Sequence, residues 1–210
     1  MPAIILAAIL SYLIGSIPTA YIFVRLIKGA DIRNIGSGNV GATNALRALG
    51  KGWGIIVLTL DILKGLLPVV ILGGLFAPSI SLDLERNLFV IIGLSAICGH
   101  NWTIFLNFKG GKGVATTLGV LIGLAFKIPG LNLVLGLTVL VWFISFVLIR
   151  IISVSSILAA VSFPILTIIY GQSNLVILVG ILLSIFVILR HKSNIKRLLN
   201  GKEQRLSFRK

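Results

Sequence analysis

Seven apolar runs separated by polar stretches constrain this chain more than any other feature. They cover residues 3–27, 53–77, 88–106, 114–126, 131–150, 152–170 and 174–190. Most of them hold the roughly 20 residues that a helix needs to cross the hydrocarbon core of a bilayer. Because lipid satisfies no backbone hydrogen bond, segments that cross it singly must be helical. The pattern therefore predicts an all-α, polytopic transmembrane helical bundle with seven spans.

The composition favours a membrane protein over a soluble one. Hydrophobic residues make up 57% of the 210 residues and charged residues 11%, with a mean hydropathy of +1.11. About a quarter of the residues in a soluble domain are charged. The length predicts one integral-membrane domain over residues 1–210. Cys98 is the only cysteine, which excludes an internal disulfide and a cysteine-based metal site, and we interpret it as a small buried side chain.

Basic residues are unequally divided between the two ends of the apolar runs. If the N-terminus lies outside, the inner segments 25–52, 107–113, 150–153 and the tail from 190 hold 16 of the 19 basic residues. Basic residues concentrate on the cytoplasmic side of membrane proteins. We therefore predict an outside N-terminus on an uncleaved first span and a cytoplasmic C-terminus. The fourth run, at about 1.5 Å per residue, is too short to span fully.

The net charge of +14 would suggest nucleic acid as the partner of a soluble protein. Here the basic residues lie between apolar runs, so membrane lipid and anionic ligands are the expected partners and nucleic acid is not. Three segments rich in Gly, Ser, Asn and His follow the first, third and seventh runs, and all three fall on the predicted cytoplasmic side.

The first polar segment, RNIGSGNVGATNALR over residues 33–47, has the composition of an anion-binding loop. It contains a GxGxxG pattern, but a dinucleotide site needs a preceding strand and a βαβ unit, which the membrane context excludes. Glycines let backbone N–H groups approach an anion, and Arg47 can hold a phosphate through two parallel hydrogen bonds. Neutral donors are expected from Ser37, Asn39, Thr43 and Asn44. A polar turn that only sets topology is the alternative.

The second polar segment carries the turn Lys109–Gly110–Gly111–Lys112–Gly113. It fails the Walker pattern, because residue 106 is Leu and Lys112 is followed by Gly113, so ATP hydrolysis is not expected. The turn opens directly into the short fourth run, whose helix N-terminus would favour an anion. An ordinary interfacial turn is the alternative.

The third polar segment begins at Arg190 and contains His191 and Asn194, which share a face if the helix continues past the span. That face could present an acceptor and donors to a polyol. The basic residues Lys192, Lys196 and Arg197 are expected to anchor the tail on anionic lipid.

Polar residues within or beside the runs have structural explanations as well. Asp61 and Lys64 lie three residues apart inside the second run, and burying either alone is costly. We interpret them as a mutual pair far from the polar segments of the cytoplasmic site, with a functional role left open. Ser153, Ser155 and Ser156 would cap the sixth helix, or they could face the site.

Taken together, four strings resemble the bacterial acyl-phosphate:glycerol-3-phosphate acyltransferase family. They are GSGNVGATNALRALG at 36–50, DILKG at 61–65, GHNWTIFLNFKGGKGVATTLG at 99–119 and RHKSNIKRL at 190–198. They recur in the family's order and spacing over essentially the whole chain. One departure is Thr103, where the family pattern has Pro, and this change is expected to loosen the turn after His100.

The resemblance implies transfer of a fatty acyl group from acyl phosphate to the 1-hydroxyl of glycerol 3-phosphate, giving lysophosphatidic acid and phosphate as the first step of phospholipid synthesis. It implies no cofactor, no metal and no obligate protein partner, and it implies a location in the bacterial cytoplasmic (inner) membrane. The catalytic residues expected from it are Ser37, Arg47, Lys112 and His191. The expected substrate-binding residues are Gly38, Asn39, Thr43, Asn44, Lys109, Gly110, Gly111, Gly113, Ser156 and Asn194.

Electrostatic stabilisation by Arg47 and Lys112 is the expected main source of catalysis. The protein bases available are His191, His100 and Ser37, but the excess of donors favours a phosphate oxygen of the donor as proton acceptor. Two other classes of function share the spans and the basic face: a transporter or channel for an anionic solute, and a lipid-binding structural protein.

Overall fold

The structure, a computed structural model, describes residues 2–206, apart from the side chains of residues 82 and 83. The described residues are predominantly helical. The helices are α1 (Pro2–Ser16), α2 (Thr19–Lys28), α3 (Ala42–Leu49), α4 (Lys51–Leu67), α5 (Gly73–Phe76), α6 (Leu82–Asn101), α7 (Val114–Ala125), α8 (Leu131–Ile149), α9 (Ile152–Ile169), α10 (Asn174–Arg190) and α11 (Lys192–Leu199). A π-helical stretch, Pro68–Leu72, joins α4 to α5, and short 3₁₀ turns occupy Ile32–Asn34, Ala77–Ser79 and Ile104–Leu106.

Within residues 2–206, five helical stretches are long and apolar enough to cross a membrane. They are Pro2–Lys28, Lys51–Ser79, Leu84–Leu106, Leu131–Ile149 and Ile152–Ile169. Counting the bent pair α10 and α11 as one span raises the number to six, and α7 is a shorter apolar helix of 12 residues. The prediction of an all-α integral membrane fold is confirmed, whereas seven spans and the orientation of the termini stay predictions.

The chain divides into two compact units, Met1–Ile128 and Pro129–Lys210. That residues 1–210 work as one acyltransferase domain stays a prediction. Arg209 and Lys210, two of the basic residues assigned to the tail, lie outside the described residues.

In the first unit, glycines allow α4 and α7 to pack with their backbones in contact. A Cβ at Gly65 would overlap the Thr116 carbonyl, and one at Gly119 would overlap the Ile62 carbonyl. Small residues are typical of such interfaces in membranes, because helix association there depends on close van der Waals packing. This contact fixes the first half of α7 beside the C-terminal part of α4.

A break at Pro18 divides the first apolar run into α1 and α2. Proline cannot donate the backbone hydrogen bond of a continuous helix, and the break exposes carbonyls to side chains of other helices. The Lys64 ammonium donates to the Ile17 carbonyl at 2.8 Å, and the Thr103 hydroxyl donates to the Ser16 carbonyl at 2.5 Å.

Thr103 also accepts from the Phe105 N–H at 3.2 Å, so this residue secures the turn after His100, and the expected loosening is wrong.

Cys98 is exposed on α6, so the interpretation of it as a buried side chain is wrong. In a helix that lies in lipid, exposed positions face hydrocarbon, where a small thiol has no need of burial within the protein.

The second unit consists of α8, α9 and α10, followed by α11 and the chain to Leu206. The axis bends by 56° between α10 and α11, at His191. The helix therefore does not continue straight past the span, as the spacing of His191 and Asn194 had suggested. After α11, the Leu206 N–H donates to the Arg150 carbonyl at 2.8 Å, which returns the last described residues to the start of α9.

Candidate active site

The first loop, residues 33–41, is shaped by the buried side chain of Asn44. The Asn44 amide oxygen accepts from the Ser37 N–H at 3.1 Å. Its amide nitrogen lies within hydrogen-bond distance of three carbonyls, those of Ile32, Ile35 and Asn39, at 3.2, 2.9 and 3.0 Å. The amide of Asn44 is therefore committed to folding the loop, and substrate contact by this side chain stays a prediction.

Two glycines of the first loop adopt left-handed backbone conformations, with φ of 56° at Gly36 and 70° at Gly38. Such values are costly for residues with a side chain. A Cβ at Gly36 would also overlap the Asn44 amide oxygen, and it would approach the side chain of Arg47 at 4.0 Å. The glycine turn thus brings Ser37, which is exposed, close to the helix that carries Arg47.

The helix α3 presents Thr43 in its first turn and Arg47 in its last turn. Beneath it lies a cluster of buried apolar residues, which fixes α3 and the first loop on the rest of the unit: Ala20, Val24, Ile32, Val40, Ala45, Ala48, Val57 and Leu106. Arg47 is exposed at the surface of this platform. A guanidinium held there by its helix is suitable for binding a phosphate.

Arg33, at the start of the first loop, is paired with Asp31. The two side chains are joined by hydrogen bonds of 2.6 to 3.0 Å, and the Arg33 guanidinium lies over the ring of Tyr21 at 5.7 Å. The hydrogen bond from Arg33 lowers the pKa of the Asp31 carboxyl. Asp31 is therefore a poor candidate for a general base.

The second loop, residues 107–113, packs on the end of α6. The Gly110 N–H donates to the Asn101 carbonyl and the Gly111 N–H to the His100 carbonyl, both at 3.1 Å. These two N–H groups therefore shape the turn, which differs from the expectation that the glycine N–H groups bind phosphate. Asn107 and Phe108 also adopt positive φ values of 52° and 60°, a strained arrangement typical of functional loops.

The N-terminus of α7 follows the second loop directly, because Gly113 is its N-cap. The first N–H groups of a helix have no partner within that helix, so this end of α7 is the better donor for an anion. Lys112 is half-buried beside it, and Lys109 is exposed. Thr116, in the first turn, is fully buried, and its hydroxyl has no hydrogen-bond partner among the described residues.

The two loops meet at Gly111. A Cβ at this position would overlap both the imidazole of His100 and the carbonyl oxygen of Val40, which belongs to the first loop. Only a residue without a side chain allows this approach. The structure thus brings together the first loop and the second loop, which lie some 70 residues apart in the sequence.

The predicted pairing of Asp61 with Lys64 is present, at 2.7 Å and with both side chains buried. The Asp61 carboxylate also accepts from the Thr19 hydroxyl at 2.5 Å, and it lies 3.7 Å from Nδ1 of His100. Because His100 contacts the second loop, the assumption that this pair is far from the polar segments is wrong.

His191 lies at the bend between α10 and α11 and is buried, with Nδ1 at 2.7 Å from the Val187 carbonyl. A carbonyl only accepts, so Nδ1 carries the proton here. In the neutral imidazole, Nε2 is then the acceptor, which is the arrangement suited to binding a hydroxyl.

Glu203 is a residue of this unit that the sequence analysis missed. Its carboxylate accepts from the Ser153 hydroxyl at 2.7 Å, the Asn194 amide at 2.6 Å and the Arg197 guanidinium at 2.7 Å. Burial raises the pKa of the Glu203 carboxyl, but these hydrogen bonds outweigh burial and the pKa is lowered. The available signal was one acidic residue within a strongly basic tail.

Ser155 and Ser156 lie in the first turn of α9 and are buried. The Ser156 hydroxyl donates to the Ile152 carbonyl at 2.8 Å and accepts a longer hydrogen bond, 3.4 Å, from the Trp142 indole. Ser155 donates to the Ile151 carbonyl at 3.3 Å. The role of Ser156 in substrate binding stays a prediction.

The predicted site residues thus fall into two sets. The first unit holds Ser37, Gly38, Asn39, Thr43, Asn44, Arg47, Lys109, Gly110, Gly111, Lys112 and Gly113, and the second holds Ser156, His191 and Asn194. Within the first unit, the contact at Gly111 joins the two loops that carry or flank these residues. The roles assigned to both sets stay predictions.

The fold and the two glycine-rich loops that meet at Gly111 define a helical integral membrane protein with a candidate anion-binding site. A family model described as glycerol-3-phosphate acyltransferase matches residues 5–201. The chain belongs to the glycerol-3-phosphate acyltransferase family.

Individual relatives resemble the chain over nearly its full length. A glycerol-3-phosphate acyltransferase of Desulforudis audaxviator is 42% identical over 99% of this chain and 98% of its own. One from Thermoanaerobacter sp. is 41% identical over 96% of this chain and 95% of its own.

Two solved structures have the same fold. The crystal structure of PlsY (YgiH), an integral membrane glycerol 3-phosphate acyltransferase, in its glycerol 3-phosphate form has a TM-score of 0.84 and 37% identity, over 97% of this chain and 96% of that one. Its lysophosphatidic acid form has a TM-score of 0.81 and 36% identity, over 97% and 95%.

Proposed function

We propose that this protein transfers a fatty acyl group from acyl phosphate to the 1-hydroxyl of glycerol 3-phosphate. The hydroxyl oxygen forms the new ester bond, the bond between acyl carbon and phosphate oxygen breaks, and the products are lysophosphatidic acid and inorganic phosphate. The observation that carries the proposal is the contact of the two glycine loops at Gly111, within a chain that belongs to this family.

Phosphate recognition is assigned to the first unit. Arg47 supplies a forked guanidinium from the end of α3, and Lys112 supplies a point charge beside the N-terminus of α7. Both cations, with the helix N–H groups, stabilise negative charge on the leaving phosphate and on the tetrahedral intermediate. Ser37 lies on the same loop surface and donates a neutral hydrogen bond.

Recognition of the polar substrate is assigned to His191, Asn194 and Ser156, as the family resemblance implies. The buried His191, with its proton held on Nδ1, offers Nε2 to a substrate hydroxyl. Asn194 is oriented by Glu203 through one of its amide hydrogens.

The proton of the attacking hydroxyl is taken by a phosphate oxygen of the acyl donor. The donors around the first loop and Lys112 outnumber acceptors, and Asp31 is held as a carboxylate by Arg33. If this is right, His191→Ala and His100→Ala both keep the wild-type shape of the pH–rate profile. Loss of a limb near neutral pH in either variant would contradict it.

The protein is proposed to lie in the bacterial cytoplasmic membrane with seven spans, an outside N-terminus and its active site facing the cytoplasm. The distribution of 16 of 19 basic residues supports this orientation. In the cytoplasmic membrane, the reaction is the entry step of phospholipid synthesis.

An anion transporter would need polar side chains directed into a path through the spans. Most buried hydroxyls of the described spans instead donate to helix carbonyls: Ser11 to Ile92, Thr138 to Val134, Ser145 to Trp142 and Thr167 to Pro164. A hydroxyl whose hydrogen is used in this way does not donate it to an anion, which favours the acyltransferase.

The proposal is tested with purified protein in detergent, supplied with glycerol 3-phosphate and either palmitoyl phosphate or palmitoyl-CoA. Lysophosphatidic acid is expected from palmitoyl phosphate alone. Arg47→Ala and Lys112→Ala should each lower kcat/KM by about 100-fold, since each removes a charge-assisted contact worth roughly 3 kcal/mol. A wild-type protein inert with both donors would contradict the proposal.

A further inference from the structure

The buried carboxylate of Asp61 connects three parts of the first unit. It accepts from Thr19 at the start of α2, pairs with Lys64 on its own helix α4, and lies 3.7 Å from Nδ1 of His100 at the end of α6. The side chains of Asp61, Lys64 and His100 are 2, 6 and 5% exposed. All these contacts are to the same oxygen, Oδ1.

The opposite side of the His100 ring contacts the second loop. A Cβ at Gly111 would overlap Nε2 of His100, and the Gly111 N–H donates to the His100 carbonyl. His100 therefore fixes Gly111 through both its side chain and its backbone. In these contacts, the imidazole of His100 lies between the Asp61 carboxylate and Gly111.

Pairing with Lys64 does not by itself explain this arrangement. A buried ion pair costs about as much in desolvation as it returns, so two apolar side chains would serve the packing of α4 equally well. An intramembrane carboxylate instead tends to have a role beyond packing. The place of Asp61 suggests such a role, because its Oδ1 lies 3.7 Å from the imidazole against which the second loop is built.

We propose that Asp61 is a positioning residue that orients His100 and thereby holds Gly111 and the second loop in the shape that binds phosphate. This inference rests on the proposed phosphate binding by that loop. Asp61 touches no reacting atom, and its loss acts on phosphate affinity through the ring of His100.

The test compares the purified double variant Asp61→Asn/Lys64→Met with the wild-type protein. The double change removes both charges, so that no unpaired ion stays buried. We expect the KM for glycerol 3-phosphate or for palmitoyl phosphate, and the inhibition constant of inorganic phosphate, to rise about ten-fold, with a much smaller change in kcat. The thermal midpoint in detergent should stay near that of the wild type.

His100→Gln should raise the same constants, and combining it with the double variant should add no further change, because both act on one path. Wild-type constants in the double variant, or additive effects in the combination, would overturn the inference. Ser11→Ala, which removes a buried hydrogen bond between α1 and α6, is the matched control and should leave the constants unchanged.

If the double variant does not fold, Thr19→Val tests the same point with both charges kept. It should raise the constants about three-fold, as expected for loss of one hydrogen bond to Asp61, and wild-type constants would overturn the inference.

Failure of the proposed function and failure of this inference give different results. A wild-type protein that forms no lysophosphatidic acid refutes the proposed function. An active wild type with a Gly111→Ala defect but no effect of the Asp61 variants refutes this inference alone.

Discussion

Asn44 and Gly111 show how single residues build the two loops of the first unit. Asn44 contacts three backbone groups of the first loop and the carbonyl of Ile32 just before it, and Gly111 leaves room for His100 and for the carbonyl of Val40. Neither needs to touch a substrate to control where Ser37, Arg47 and Lys112 lie. At the scale of single residues, we expect the neutral residues that shape the loops to be as important as the charged side chains of Arg47 and Lys112.

Replacing Gly111 by Ala should disrupt the contact between the loops. The added Cβ would overlap the Val40 carbonyl and the His100 ring, so the second loop must shift. We expect KM for a phosphate-bearing substrate to rise by about ten-fold or more, which steady-state kinetics measures. Gly52→Ala is the matched control, because a Cβ there meets nothing within 4 Å. Equal kinetics for both variants would contradict the account.

Thr103 offers a second test, because it departs from the family pattern. Its φ of −67° accommodates proline, but Thr103→Pro loses the hydrogen bond to the Ser16 carbonyl. We expect a loss of roughly 1 kcal/mol of stability, seen as a lower thermal midpoint in detergent. Thr103→Ser keeps the hydroxyl and should stay close to the wild type. A proline variant as stable as the serine variant would show that the hydrogen bond contributes little.

The sequence predicted which residue types form the candidate site, but it predicted less well what each residue contacts. Arg47 and Lys112 could be identified because a cation beside glycines is typical of phosphate sites. That the N–H groups of Gly110 and Gly111 fold the turn could not, because it depends on the carbonyls of His100 and Asn101. The contact of Asp61 with His100 was missed for the same reason: distance in the sequence hides a contact made by helix packing.

At the scale of helices and segments, the apolar runs predicted the helices well. Length and hydropathy decide whether a segment is helical in lipid, and both are local properties. The breaks were harder to predict. The interruption at Pro18 has a local cause. The bend of 56° at His191 is followed by a tail that contacts distant residues, through Leu206 with Arg150 and through Glu203 with its three partners, and local sequence does not reveal such contacts.

The attachment of the tail should depend on the charge of Glu203. Its pKa is lowered in the folded protein, so its contribution to stability is present above the ordinary glutamate pKa of about 4.3 and is lost as pH falls through the lower folded value. Hydrogen–deuterium exchange of residues 201–206 should be faster in Glu203→Gln than in the wild type at pH 7. The difference should shrink towards zero as the pH falls well below about 4. Equal exchange at pH 7 would contradict this.

At the scale of the whole molecule, the orientation of the chain follows from its charge. Single cysteines placed at Arg86 and Lys127 in a Cys98→Ala background should react with a membrane-impermeant maleimide in intact cells. Cysteines placed at Lys28 and Lys202 should react only after lysis, because they lie with the basic segments. The opposite pattern would contradict the proposed topology and place the polar loops outside.

Because the chain belongs to the glycerol-3-phosphate acyltransferase family, its helical fold and its two glycine-rich loops are expected to occur together. The match over residues 5–201 covers both units, and the likeness to PlsY extends over 97% of the chain. The acyl donor, by contrast, is proposed from the family resemblance, and the chemistry of the loops agrees with it, because two cations and a helix N-terminus would stabilise a leaving phosphate.

The central claim is that the acyl donor leaves as inorganic phosphate when glycerol 3-phosphate is acylated. The most direct measurement follows both products in one reaction of purified protein with palmitoyl phosphate and radiolabelled glycerol 3-phosphate. We expect inorganic phosphate and lysophosphatidic acid to form in equal amounts, and both to stop when glycerol 3-phosphate is omitted. Phosphate release without acylation, or acylation without phosphate release, would contradict the account.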